Sequence, residues 1–585
     1  MVTSDQLAAP FGAAVPTLRE LASGEIFSAL KKHRASLVSV ALFSGIINLL
    51  YLAPAIYMLQ IYDRVLTSQS ENTLIALTGL VVGLFVVTGM LEGVRSAVMA
   101  RLGDALEEDL SPRVYPAMFA QQLRATNGHG NQPIWDMSQI RQFFSGGGLY
   151  AFLDLPWLPI FILTTFLLHP LLGGFVLLGS MVLFATAWIS ERLAREPMGQ
   201  ANELSMAASG LVTSHLRNTE LIEALGMLPQ LSGRWRSLQA KARDLQQKAI
   251  GRIRTTGGIT RVLRMVLQSG TLGLGAWLAI RGEVTPGAMI AATILATRAL
   301  SPLESVIAHW KSFLSTLISA RRLTQLLADY PVAVKGMDIP RPAGKVSVEN
   351  IFVSSPINKH FILKGLTFQM HPGEVLGVLG PSAAGKSTLA RAVIGVWPVQ
   401  LGKVRLDGSD IRNLDRTAIG PAIGYLPQDI ELFSGTVGEN IARFGPLDSA
   451  AVIAAANTCG IHGTLLGLPK GYDTPIGEAG VMLSAGQRQL VGLARAIYGK
   501  PSLIVLDEPS SNLDEVGQHC LLQALTAMKS WDSTVMVISH QPLVLRQTDR
   551  LLVMHEGQIR KIGPATEVLT SLRPVKKGHE HASHH

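Results

Sequence analysis

Charge is scarce in this chain. Of 585 residues, 16% are Asp, Glu, Lys or Arg, against about 25% in soluble domains, and the mean hydropathy is +0.30. These values point to a membrane part. Cysteine is nearly absent: Cys459 and Cys520 stand alone, without metal-type spacing. Neither a disulfide framework nor a zinc site is expected, and both thiols are read as reduced and cytosolic. Aromatics make up 6% and do not interleave with a basic helix, so the net charge of +9 is assigned to cytoplasmic loops beside a lipid membrane; no nucleic acid is expected. No internal repeat is visible, and the first 35 residues lack a signal-peptide cleavage site.

Long apolar runs fill the first half. A span needs about 20 apolar residues to cross ~30 Å of hydrocarbon. Ala35–Tyr62 contains no charged residue and reads as the first span, Leu74–Leu91 as the second. The stretch Leu155–Ser190, free of Asp, Glu, Lys and Arg and broken at His169-Pro170, reads as the third and fourth. Weaker spans follow at Ile259–Ile280 and Gly287–Leu303, where Arg264, Arg298 and Glu304 are read as helix ends outside the bilayer rather than as a polar path. Lys31, Lys32, Arg34, Arg95, Arg101, Arg192 and Arg195 place the flanking segments inside. The polar stretches 92–147 and 191–256 are then cytoplasmic helical extensions. The expected domains are an amphipathic elbow over 1–35, a six-span helical bundle over 36–322, a proline-broken linker over 323–342, an α/β nucleotide domain over 343–570 and a disordered tail over 571–585. The His-rich end, "GHEHASHH", belongs to that tail.

In the second half a buried strand, "EVLGVLG", runs into Gly380, Pro381, Ser382, Ala383, Ala384, Gly385, Lys386 and Ser387, followed by Thr388 and a helix. This is the full phosphate-loop pattern in its strand-loop-helix setting. Glycines let the backbone wrap phosphates, Lys386 supplies a point charge, and Ser387 offers a hydroxyl to Mg2+. A second apolar strand, Leu503 to Leu506, delivers Asp507 and Glu508 to its C-terminal edge. Asp507 suits the Mg2+ shell, and Glu508 suits the base that polarises attacking water. A second anion-binding turn, "LSAGQ" (Leu483–Gln487), opens another helix about a hundred residues downstream, although one nucleotide needs one cradle.

In this order the motifs resemble the nucleotide-binding domain of ABC transporters, over about residues 343–570. The resemblance implies ATP and Mg2+ as cofactors, Gln428 contacting metal and water, His540 contacting the γ-phosphate, and "SSNLD" ending in Asp514 joining two sites. It also answers the duplicated cradle: Ser484, Ala485, Gly486 and Gln487 match the signature that closes on a partner subunit's ATP. Ala485 replaces the usual glycine and is expected to narrow the backbone freedom there. "TPIGEAG" (Thr474–Gly480) resembles the exporter-specific loop, and a turn near Arg217–Met227 resembles a coupling element. The adenine-stacking position holds Ser355, with Phe352, His360 or Phe361 as substitutes.

"YMLQIYDRVLTSQSENTL", "FLDLPWLPIF" and "YLPQDIELFSGTVGENIARF" resemble bacterial type I secretion exporters, most closely the PrtD-like group, across nearly the whole chain. That resemblance implies a homodimeric inner-membrane exporter of unfolded polypeptide with a C-terminal signal, working with a periplasmic adaptor (membrane fusion protein) and an outer-membrane channel. It also implies that the cargo is not cleaved here, since 35 residues leave no room for a peptidase-like domain. The alternative is an ABC exporter or flippase of lipid or small hydrophobic compounds.

Overall fold

The computed structural model describes residues 24–124, 131–332, 336–337, 340–355, 360–477, 480 and 482–572. Contacts divide the chain into two units, Met1–Met118 with His129–Asp329, and Phe119–Gly128 with Tyr330–His585. The start of the expected elbow and nearly all of the expected tail lie outside the described residues.

The first unit is helical. After α1 (Glu25–Lys32), the first span is built from α2 (Arg34–Leu50) and α3 (Ala53–Gln60), which continues through a π-helical turn at Ile61–Val65. The remaining long helices are α4 (Glu71–Arg124), α8 (Pro170–Arg217), α10 (Leu228–Ile280) and α11 (Pro286–Asp329). Between them lie α5 (Gln132–Ser145), α6 (Gly148–Asp154), α7 (Leu158–Leu168) and α9 (Thr219–Ala224). Among the described residues, six helical segments are long and apolar enough to cross a membrane. His169 breaks the third from the fourth by adopting an extended backbone, and its Nδ1 accepts from the N–H of Leu171 to cap α8.

Small residues let α11 approach its neighbours: Ala291, Leu295, Ala296 and Ala299 pack against Ala55, Phe161 and Val176. Asp63, in the π turn, accepts from the Thr285 hydroxyl at 2.6 Å and the Gly287 N–H at 2.9 Å, so span one caps the helix of span six. A charged cluster joins spans one to three. Arg95, 8% exposed, donates to Asp154 at 3.0 Å and to Ser44 at 2.9 Å, and Asn48 donates to the same carboxylate.

Two expectations need correction. Arg264, Arg298 and Glu304 do not stand at helix ends: Arg264 pairs with Glu304 at 3.1 Å in mid-helix, and Arg298 stacks on Tyr51 at 4.0 Å, so each charge is answered by a neighbouring helix. The linker expected to begin at 323 begins later, because α11 continues to Asp329 and buries Leu323, Leu326 and Leu327. Tyr330 precedes Pro331, which disfavours helix at that point. Further on, Met337 pairs with Leu414, and Arg341 donates to the carbonyl of Gly499.

The second unit is α/β. An antiparallel sheet orders its strands β2-β1-β4-β5, from β1 (Val346–Ser354), β2 (Phe361–Met370), β4 (Leu401–Leu406) and β5 (Ser409–Asp410). The main sheet runs β10-β9-β3-β8-β7-β6, from β3 (Val375–Leu379), β6 (Ile423–Leu426), β7 (Leu503–Asp507), β8 (Thr534–Ile538), β9 (Arg550–His555) and β10 (Gln558–Pro564). All neighbours in it are parallel except β10 and β9. Strands β7 and β8 are buried along their whole length, as their unbroken apolar runs require when both faces are covered.

Candidate nucleotide site

Ligands in open parallel sheets sit at the C-terminal ends of strands, and four adjacent strands deliver this site. From β3 the chain enters the loop Gly380–Gly385 and then α12 (Lys386–Val393). Gly385 has φ +95° and Ala383 has φ +64°. Gly385 is required by its positive φ, and a Cβ on Gly380 would collide with the Met554 carbonyl, so that glycine is required by space. The Lys386 ammonium folds back over this loop, donating to the carbonyls of Gly380 at 2.7 Å and Pro381 at 3.1 Å. Burial holds its pKa below the usual lysine value, opposed by the charges of Glu508 and Asp507. Ser387 and Thr388 follow in the first turn, with Thr388 buried.

Asp507 ends β7 and is 1% exposed, yet neither carboxylate oxygen finds a hydrogen-bond partner among the described residues. Burial pushes its carboxyl above the usual range, the nearby Ser387 hydroxyl pulls the other way, and the Glu508 charge raises it further. A buried carboxylate with free lone pairs beside a hydroxyl fits a hard divalent cation such as Mg2+.

Glu508 adopts φ +50°, a left-handed backbone that costs a non-glycine residue about 1–2 kcal/mol. The kink turns its side chain toward the loops after the neighbouring strands. Gln428, after β6, donates to its carboxylate at 3.5 Å, and the His540 Nε2, after β8, lies 3.7 Å from its other oxygen. The structure therefore brings Lys386, Ser387, Asp507, Glu508, Gln428 and His540 around one end of the sheet.

The second turn stands at the start of α13 (Ala485–Ile497). Ser484 is its N-cap, accepting from the Gln487 N–H at 3.2 Å, while the Gln487 side chain accepts from the Ser484 N–H at 2.9 Å. Ala485 is already helical with negative φ, so the expected restriction from replacing glycine does not arise; only an exposed methyl is added. Space is tighter at Gly486, where a Cβ would meet the Asn512 carbonyl at 3.1 Å. Asp514 caps α14 (Glu515–Ser530) by accepting from the Gly517 N–H at 2.8 Å.

One residue escaped the sequence reading. Gln489, 1% exposed on α13, donates to the carbonyls of Pro509 at 2.8 Å and Glu508 at 3.4 Å and accepts from Asn512 at 3.1 Å. It ties the signature helix to the turn carrying Glu508. Its only sequence signal is a polar residue on an otherwise apolar helix face. For adenine, Phe352 and Phe361 form an edge-on pair with centroids 5.5 Å apart, and the Ser355 N–H donates to the His360 carbonyl; residues 356–359 lie outside the described residues. Part of the expected exporter-specific loop, 478–479, also lies outside them.

Residues 363–511 match the family model "ABC transporter", and residues 37–302 match "ABC transporter transmembrane region". The chain is 40% identical to the type I secretion system ATP-binding protein PrsD of Rhizobium meliloti (strain 1021), covering 95% of this chain and 96% of that one. It is 27% identical to the cyclolysin secretion/processing ATP-binding protein CyaB of Bordetella pertussis, covering 93% of this chain and 77% of the other. A solved bacterial Atm1-family ABC exporter with ATP bound shares the fold at TM-score 0.79 and 22% identity, over 92% of this chain and 96% of that chain. With its six apolar helices, the protein is a multi-pass inner-membrane ATPase whose nucleotide domain faces the cytoplasm. From the 40% identity over nearly its whole length and from both family models, the chain belongs to the ABC transporters, within the type I secretion ATP-binding proteins.

Proposed function

We propose that this chain, as a homodimer, couples ATP hydrolysis to export of unfolded polypeptide carrying a C-terminal signal. It would pass this cargo to a periplasmic adaptor and an outer-membrane channel. The observation that carries the chemistry is Asp507: a buried carboxylate beside the phosphate loop whose oxygens find no hydrogen-bond partner among the described residues. Asp507, Ser387 and Gln428 would hold Mg2+, which when bound neutralises charge on the phosphate oxygens. Gly380 to Thr388 cradle the phosphates, and Lys386 exchanges its two loop carbonyls for phosphate oxygens. Glu508 orients the attacking water and accepts its proton, with Gln428 and His540 fixing the carboxylate from either side. Ser484 and the N–H groups at Ala485 and Gly486, at a helix N-terminus held by the Gln487 side of the cap, bind the γ-phosphate of the partner's ATP. Asp514 helps hold the loop between the two sites. The turn around α9 would relay closure to the spans.

The export of polypeptide is supported by the likeness to type I secretion proteins along 95% of the chain. The test uses purified protein in nanodiscs. The C-terminal segment of a secreted protein encoded beside this gene should raise ATP turnover several-fold, whereas lipid or hydrophobic drugs should not. Stimulation by lipid alone would favour a flippase and overturn the assignment.

A further inference from the structure

We propose that the cytoplasmic part of α10 carries an arginine ladder that receives an acidic, extended segment of the exported polypeptide. Between Arg234 and Arg264 this helix holds nine Lys or Arg residues and a single acid, Asp244. Asp244 is taken by Lys248 at 2.7 Å. Arg236, Arg243, Arg254 and Arg261 are spaced by seven, eleven and seven residues. At 100° per residue they fall within about 20° of one line along the helix.

The helix packs through another face. Ala242 and Ala249 are buried, roughly 120° around the helix from the ladder. All four arginines are exposed or half-buried. Arg236 donates to Ser232 on its own turn, and Arg243, Arg254 and Arg261 form no ion pair among the described residues. Beside Arg254 the same helix continues into an exposed apolar face carrying Gly258, Ile259, Val262 and Val266, where the span begins.

The ladder's length decides between anionic partners. From Arg236 to Arg261 it extends about 38 Å along the helix, which matches ~11 residues of extended polypeptide. The apolar part of α10 begins at Ile259. Arg236 and Arg243, about 24 Å or more from that start, therefore lie beyond a lipid headgroup layer, whose attraction fades within about 10 Å. A second copy placing the same face opposite would set arginine against arginine. Guanidinium forks favour carboxylates, and an exposed apolar helix face at the upper end suits a segment in which acids alternate with apolar residues. This inference rests on the reading of the protein as a polypeptide exporter.

The test uses full-length protein in phosphatidylcholine nanodiscs and a labelled 12-residue peptide with Asp at alternate positions, against its Asn counterpart. One variant carries Arg243→Gln, Arg254→Gln and Arg261→Gln. A control of equal charge change carries Arg234→Gln, Lys241→Gln and Lys248→Gln. The ladder variant should lose the Asp peptide by about tenfold or more, the control by less than about threefold, and the Asn peptide should not bind. Equal losses in the two variants, or equal binding of the two peptides, would overturn the ladder. So would a ladder effect that vanishes when phosphatidylglycerol is added, which marks a lipid site, or dissociation of the dimer in the ladder variant alone, which marks a subunit contact. If cargo still stimulates ATP turnover while these results fail, only the ladder falls; if no polypeptide stimulates at all, the exporter reading falls with it.

Discussion

Asp507 and Glu508 are neighbours in sequence with opposite surroundings. Asp507 is sealed under the sheet, so its raised carboxyl pKa means the folded state binds its proton more tightly than the unfolded chain. Its contribution to stability is therefore best at low pH and is lost as pH rises through the raised value, leaving an uncompensated charge at neutral pH. Asp507→Asn should raise the melting temperature of metal-free protein at pH 7 by about 2–4 °C and abolish the further rise on adding Mg2+ and ATP. A calorimetric scan with and without ligand reads both; an unchanged ligand-induced rise would remove Asp507 from the metal shell. Glu508→Gln should keep nucleotide affinity and lower steady-state turnover by about 100-fold or more, checked by phosphate release. Lys386→Ala should weaken nucleotide binding itself about tenfold or more by titration, because its two loop carbonyls offer no substitute for a charge on phosphate. The phosphate loop and the Asp-Glu pair were legible in the sequence because their demands are local: glycine where φ is positive, acids where an apolar strand ends. Gln428 and His540 were legible only through resemblance, since nothing near them in sequence announces that both meet Glu508. Gln489 was missed for the same reason: its partners, Pro509 and Asn512, lie twenty residues or more away.

At the scale of elements, apolar runs located the six spans, but not how far their helices reach. The helix Glu71–Arg124 continues past the apolar run ending at Leu91 into the expected helical extension, but where it stops was not legible, because beyond the apolar run its stabilisation comes from neighbouring helices rather than from a hydrophobic signal. The join between spans one and six also depends on tertiary contact: Asp63 caps α11 from another helix. Asp63→Ala removes two charge-assisted bonds and should lower the melting temperature by several degrees, whereas Glu71→Ala, an exposed acid in the first turn of α4, should change it by less than about 1 °C. Equal shifts would mean the cap carries no special weight.

For the whole molecule, the proposed function has each ATP site draw on two chains, which gives both cradles a role. Within one chain, Ser484 is engaged in its own helix cap and Lys386 in its own loop, so each half is satisfied alone and competent to meet a ligand. The most direct measurement uses two linked-subunit dimers of identical composition. In the first, one subunit carries Ser484→Arg and the other Lys386→Ala, so both lesions fall in one composite site and the second stays intact. In the other, a single subunit carries both lesions and each composite site is damaged once. ATP turnover should be several-fold higher in the first arrangement; higher turnover in the second would place the signature and the phosphate loop in the same chain's site and contradict the account.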